Sequence, residues 1–107
     1  MKFLSEDFAV SAQITVNDIQ TLKEQGFASV FCFRPDSEEQ DQPMFHDLMK
    51  VAQTAGLVTH HQPVVPNQIA EPDFAEFRKL YAAAPKPILA FCKTGGRAKM
   101  LWDRLDG

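Results

Sequence analysis

Only two of the 107 residues are cysteine, Cys32 and Cys92. Two thiols cannot build the disulfide framework of a small secreted domain, and each is expected to be free. No apolar run approaches the roughly 20 residues that cross a bilayer. The opening MKFLSEDF offers only Phe3 and Leu4 before acids intervene, which predicts no secretory leader and a reducing cytoplasmic setting. Basic charge is also scarce: 11 Lys and Arg against 14 Asp and Glu give a net charge of −3. Lys23, Lys50, Arg78 and Lys79 stand apart and form no stripe, which argues against a nucleic-acid binder. The three histidines give no metal pattern. His60 and His61 are adjacent, so in a strand they face opposite sides, and His46 adds no supporting spacing. No metal or cofactor is expected; one histidine of the pair retains the option of a proton shuttle near a sheet end.

What is present reads as one domain over residues 1–107, with 45% hydrophobic residues to supply its core. Strand-like runs at 8–13, 28–33, 57–62 and 87–92 alternate with helical patterns. The first helix follows Thr15, with Asp18 three residues on, Ile19 and Leu22 on one face and Gly26 as its stop. The second carries Phe45, Leu48, Met49 and Ala52. The third has Pro72 in its first turn and a stripe of Phe74, Phe77, Leu80 and Tyr81. The last presents Ala98, Leu101, Trp102 and Leu105. The continuous apolar runs SVFCF and ILAF indicate strands covered on both faces. The expected fold is therefore α/β: a three-layer domain with a mostly parallel, four- to five-stranded sheet and helices on both faces. Such sheets bind ligands outside the carboxyl ends of their strands. Cys92, Arg34 and the His60-His61-Gln62 stretch all lie near such ends, so they are expected on one rim.

The most informative stretch is LAFCKTGGRAKMLW, residues 89–102. A strand ends at Cys92, passes through Lys93, Thr94, Gly95 and Gly96, and reaches Arg97 at a helix start. Glycines let an anion approach the backbone closely, and the helix adds its positive end. The same field favours a thiolate, making Cys92 a nucleophile. Arg97 offers a planar fork to two oxygens of an oxyanion. The expected ligand is phosphate or a similar oxyanion. Arg34 is a candidate second contact, with pairing to Asp36 or Glu38 as its alternative. The remaining charges of the loop RPDSEEQDQP read as solvated surface.

Three stretches, 11–43 (SAQITVNDIQTLKEQGFASVFCFRPDSEEQDQP), 60–77 (HHQPVVPNQIAEPDFAEF) and 88–102 (ILAFCKTGGRAKMLW), together resemble a bacterial family of protein-tyrosine-phosphatase-like domains, also found fused to metallo-β-lactamase-like hydrolases. The resemblance implies a cysteine-phosphatase-like fold and hydrolysis of a phosphomonoester, of phosphotyrosine type or a small aryl phosphate. It implies Cys92 as nucleophile forming a phosphocysteine, with Arg97 and the N–H groups of Lys93, Thr94, Gly95 and Gly96 holding the phosphoryl oxygens. In departure from well-studied cysteine phosphatases, four rather than five residues separate Cys92 from Arg97, the span found in rhodaneses. Phe91 and Ala98 stand where histidine and a hydroxyl residue are usual. The general acid is open between Asp73 and Asp36. Two alternatives remain beside the phosphatase: a rhodanese-like persulfide carrier using Cys92, and an oxyanion- or protein-binding module with little turnover. Cys32 reads as core, with a reversible disulfide to Cys92 as a further expectation should their strands be neighbours.

Overall fold

The computed structural model of the protein describes residues 1–105. In chain order its elements are β1 (Lys2–Ser5), β2 (Phe8–Ser11), α1 (Val16–Glu24), β3 (Ser29–Cys32), α2 (Phe45–Thr54), β4 (Val58–His61), α3 (Glu71–Ala83), β5 (Ile88–Phe91) and α4 (Gly96–Asp103). The sheet runs β1-β2-β5-β3-β4. Strands β2, β5, β3 and β4 pair in parallel, and β1 lies antiparallel on the edge. This is the expected α/β fold with a mostly parallel sheet. Among the described residues, no helix is long and apolar enough to cross a membrane.

The central strands explain the continuous apolar runs. Phe31, Ile88 and Ala90 join the core beneath α3 and α4, while Val30, Leu89 and Phe91 join the core beneath α1 and α2. Successive side chains alternate between faces, and both faces are covered, so every position of β3 and β5 is buried. Helix α1 buries Ile19 and Leu22, and the Asp18 carboxylate accepts the Thr15 N–H at 2.8 Å. Helix α2 buries Phe45, Leu48 and Ala52. On the opposite face, α3 buries Phe74 and Phe77. Phe77 meets the rings of Phe8, Phe33 and Phe31 at centroid distances of 5.8, 5.5 and 6.3 Å.

Strand β1 was not evident from its four residues, KFLS. It pairs with β2 across a two-residue turn in which Ser5 Oγ donates to Asp7 Oδ1 at 2.7 Å. Stacking of Phe3 on Phe27 at 5.7 Å adds a tertiary contact that a local pattern does not reveal.

The expected disulfide is corrected by the register. β3 and β5 are neighbours, but Cys32 lies opposite Phe91. Its thiol belongs to the α1/α2 core, whereas that of Cys92 belongs to the α3/α4 core. Both cysteines are free. Burial pushes the Cys32 thiol up to about 12, which makes it a poor nucleophile.

Candidate active site at the carboxyl rim of the sheet

Backbone hydrogen bonds continue past the strand ends and fix the rim. Phe33 N–H donates to Phe91 O at 2.9 Å, Gln62 N–H to Cys32 O at 2.9 Å, and Val64 N–H to Phe33 O at 3.0 Å. Gln13 N–H donates to Lys93 O at 3.3 Å, tying the segment after β2 to the segment after β5. Cys92 is the first residue beyond β5 and is 1% exposed.

The turn after Cys92 depends on Gly95. Its φ of +97° is left-handed, and a Cβ there would lie 3.4 Å from the Ser11 carbonyl oxygen. A side chain at this position meets both backbone strain and a close neighbour. In this conformation Gly95 N–H points back and donates to Cys92 Sγ at 3.1 Å. Helix α4 begins at the next residue, which brings its positive end to the sulfur. Gly96 N–H donates to Thr94 Oγ1 at 3.3 Å, closing the loop internally.

Arg97, in the first turn of α4, is 8% exposed. Its Nη1 donates to Glu38 Oε2 at 2.7 Å and to Val64 O at 2.9 Å, and its Nη2 donates to Glu38 Oε1 at 3.0 Å. A guanidinium has five N–H groups, so the Nε–H and one Nη2–H remain on the other side of the fork. Hydrogen bonding to Glu38 is the main influence raising the Arg97 pKa, and the Cys92 sulfur adds to it by charge and hydrogen bonding.

Residues 37–41 of the acidic loop are exposed, as expected from its charges, but Glu38 and Glu39 also turn their carboxylates onto buried arginines. Ser37 takes a left-handed φ of 65°, and Glu38 and Glu39 follow that turn. Arg34, 4% exposed, donates from Nε to Glu38 Oε1 at 2.9 Å, from Nη1 to Gln13 Oε1 at 2.9 Å and from Nη2 to Glu39 Oε1 at 3.0 Å. Lys93 Nζ pairs with the same Glu39 oxygen at 2.8 Å. Of the partners weighed for Arg34, Glu38 is found and Asp36 is not. The Asp36 carboxylate instead accepts Phe45 N–H at 2.8 Å, at the start of α2.

Glu38 thus joins two buried arginines, and its hydrogen bond to Arg97, reinforced by Arg34, holds its carboxyl at about 2 against an ordinary 4.5. A depressed carboxyl contributes stability that is present above pH 4.5 and lost as pH falls through 2. Glu38→Gln is expected to be less stable than the wild type at neutral pH, with the difference shrinking between pH 4.5 and 2. Urea denaturation across that range measures it; a pH-independent difference would assign the effect to packing instead.

The other candidates fall into place around this centre. The Asp73 carboxylate accepts Ala70 N–H at 2.9 Å at the start of α3, and its backbone carbonyl accepts from Gln62 Nε2 at 2.8 Å. The adjacent histidines do face opposite sides: His60 packs edge-on to Phe31, and His61 stacks on Phe45 at 4.4 Å. His61 Nε2 also lies 2.8 Å from Arg34 O, bracing the residue that bears the rim arginine. Ala98 is fully buried and brings no hydroxyl to the sulfur. Sequence reasoning missed Gln13, Glu39 and the second role of Glu38 as the partner of Arg97. Glu38 and Arg97 are 59 positions apart, and only the crossover of the chain brings them together.

A cysteine thus directly follows a parallel strand, and a glycine turn carries the chain from it into a helix whose first turn holds a buried arginine. The family model for the phosphatase-like domain of beta-lactamase hydrolase-like proteins matches residues 1–105. The chain belongs to this family. A beta-lactamase hydrolase-like protein of Xylella fastidiosa (strain Temecula1) is 32% identical over 97% of the chain, and one of Agrobacterium fabrum is 35% identical over the same share. The chain spans 25% of the length of these relatives. Among solved structures, a candidate phosphatase of Neisseria meningitidis is 37% identical with a TM-score of 0.89, over 94% of this chain and 72% of that one. The fold is shared more widely: P. aeruginosa TpbA, in complex with phosphotyrosine, has a TM-score of 0.70 at 16% identity, over 92% of this chain and 56% of that one. Membership of the family makes this a phosphatase-like domain with the protein-tyrosine-phosphatase fold.

Proposed function

We propose that this phosphatase-like domain hydrolyses phosphomonoesters, aryl phosphates foremost, with Cys92 as nucleophile and Arg97 as oxyanion contact. The observation that carries this reading is the Gly95 N–H turned onto the Cys92 sulfur at the start of α4, with Arg97 held in the first turn of that helix by Glu38 and Val64 O. In the first step the Sγ lone pair forms a bond to phosphorus while the ester P–O bond breaks, and the leaving oxygen departs with the bonding electrons. The free side of the Arg97 fork, with the loop N–H groups of Lys93 to Arg97, holds the phosphoryl oxygens as charge redistributes. Water then attacks the phosphocysteine, breaking the S–P bond and returning the thiolate with release of phosphate.

The surrounding acids support an aryl leaving group. Glu38, held at about 2, is ionised at neutral pH and has no proton to give. The carboxylates of Asp36 and Asp73 accept backbone N–H groups at helix starts. Either would have to leave that position to protonate a leaving oxygen, and a phenolate needs such help least. TpbA with phosphotyrosine bound shows that this fold accommodates an aryl phosphate in another protein.

One observation favours a second reading, a persulfide carrier: the span of only four residues between Cys92 and Arg97 makes a smaller ring of N–H groups. The test assays wild type and Cys92→Ser on p-nitrophenyl phosphate and, in parallel, on thiosulfate with cyanide. Release of p-nitrophenol that disappears in Cys92→Ser is expected. Cys92-dependent thiocyanate formation without phosphatase activity would replace the first reading with the second. Inactivity in both assays, with tungstate still raising Tm, would leave an oxyanion-binding module.

A further inference from the structure

Beside the Cys92 loop, two cations converge on one internal carboxylate oxygen. Glu39 Oε1 accepts from Arg34 Nη2 at 3.0 Å and pairs with Lys93 Nζ at 2.8 Å. The two cations differ in freedom. Arg34 is 4% exposed and remains anchored through Glu38 and Gln13 whatever Glu39 does. Lys93 and Glu39 are 57% and 53% exposed, so their contact can exchange with solvent or ligand. The residue bearing this lysine directly follows the nucleophile. A groove of about 540 Å³ opens at the same place, lined by Gln13, Arg34, Glu39, Asp41 and Lys93 among others.

We propose that Arg34 and Lys93 form a second anion subsite beside the Cys92 loop, with Glu39 as its resident carboxylate. The substrate is then a phosphomonoester carrying a second anionic group, which displaces Glu39 while the phosphoryl group sits at Arg97. This rests on the phosphomonoester reading above and narrows its substrate class.

Two physical arguments carry the subsite. A buried guanidinium left without an acceptor on Nη2 is costly, so departure of Glu39 calls for another acceptor, and an anion satisfies it best. The way the two paired carboxylates are held points the same way. Arg34, Lys93 and Arg97 share Glu38 and Glu39, while Asp41 also lines the groove. Glu38 is bound in a bidentate pair with a buried arginine and stays. Glu39 is bound at one oxygen and exposed, so it is the carboxylate that a ligand can replace.

The test measures Kd by titration calorimetry in a Cys92→Ser background, so that turnover does not intervene. The probes are pyrophosphate, phosphoglycolate and propyl phosphate, which bear a second phosphoryl group, a carboxylate and no second anion, respectively. Introducing Glu39→Gln is expected to tighten at least one bis-anion by about tenfold, and propyl phosphate by less than about threefold. Adding Lys93→Met should remove the gain. The bis-anion that gains distinguishes a phosphoryl from a carboxylate second group. Equal gains for all three probes, no gain for either bis-anion, or a gain that survives Lys93→Met would overturn the proposal. Because hydrolysis is not read, failure of the subsite leaves Cys92-dependent p-nitrophenol release untouched. Failure of the phosphatase reading shows in that assay alone.

Discussion

Arg97→Lys is expected to lower kcat/KM for p-nitrophenyl phosphate by roughly 10²- to 10³-fold, the range for loss of one oxyanion donor. Lysine keeps the charge but not the planar fork. The native guanidinium uses one side for Glu38 and Val64 O, leaving the other for phosphoryl oxygens. An ammonium has three donors on a single atom and cannot face both ways at fixed spacing. The loss should fall mainly on kcat, because the phosphoryl oxygens gain their strongest contacts as the P–O bond breaks. Stability should fall as well, by about 1–3 kcal/mol, since Glu38 and the Val64 carbonyl lose well-aligned donors. Steady-state kinetics and urea denaturation separate the two effects. A change in kcat/KM below tenfold would remove Arg97 from the chemistry.

Phe77→Ala should produce the largest loss of stability, about 3–5 kcal/mol. The side chain is 0% exposed and touches three phenylalanines of the sheet, Phe8 on β2 and Phe31 and Phe33 on or just beyond β3. Removing the ring opens a cavity directly under α3. For a domain of this size the Tm should fall by more than about 12 °C, as followed by circular dichroism. Met100 on α4 is 49% exposed, and Met100→Ala should stay within about 0.5 kcal/mol. Equal effects of the two substitutions would contradict the placement of the core. Phe33 also follows β3 at the rim, where its N–H is bonded to Phe91 O. Damage to this core is therefore expected to reach the Cys92 loop.

The two central strands and all four helices were legible because their residues repeat at the period of the structure they form. SVFCF and ILAF are apolar throughout since helices cover both faces, and Ile19 with Leu22, or Phe74 with Phe77, recur at helical spacing. The Cys92–Arg97 loop was legible for a different reason: strand, glycine, arginine and helix follow one another locally. What escaped was set by tertiary contact. β1 is a four-residue edge strand whose support comes from β2 and Phe27. Glu38 could be weighed only as a partner of nearby Arg34, and nothing within ten residues of it points to Arg97. The face that each cysteine occupies required the β3–β5 register, because a shift of one residue moves every side chain to the other side.

The central claim is that Cys92 becomes phosphorylated during turnover, and it can be read directly from the protein. Mixing the enzyme with p-nitrophenyl phosphate, quenching in acid within the first turnover and mapping peptides by mass spectrometry should find one phosphoryl group on the peptide containing Cys92. The slow second step expected from Ala98, which offers no hydroxyl to the departing thiolate, should let that species accumulate. Turnover without phosphorylated Cys92, or a phosphoryl group carried by another residue, would contradict the account.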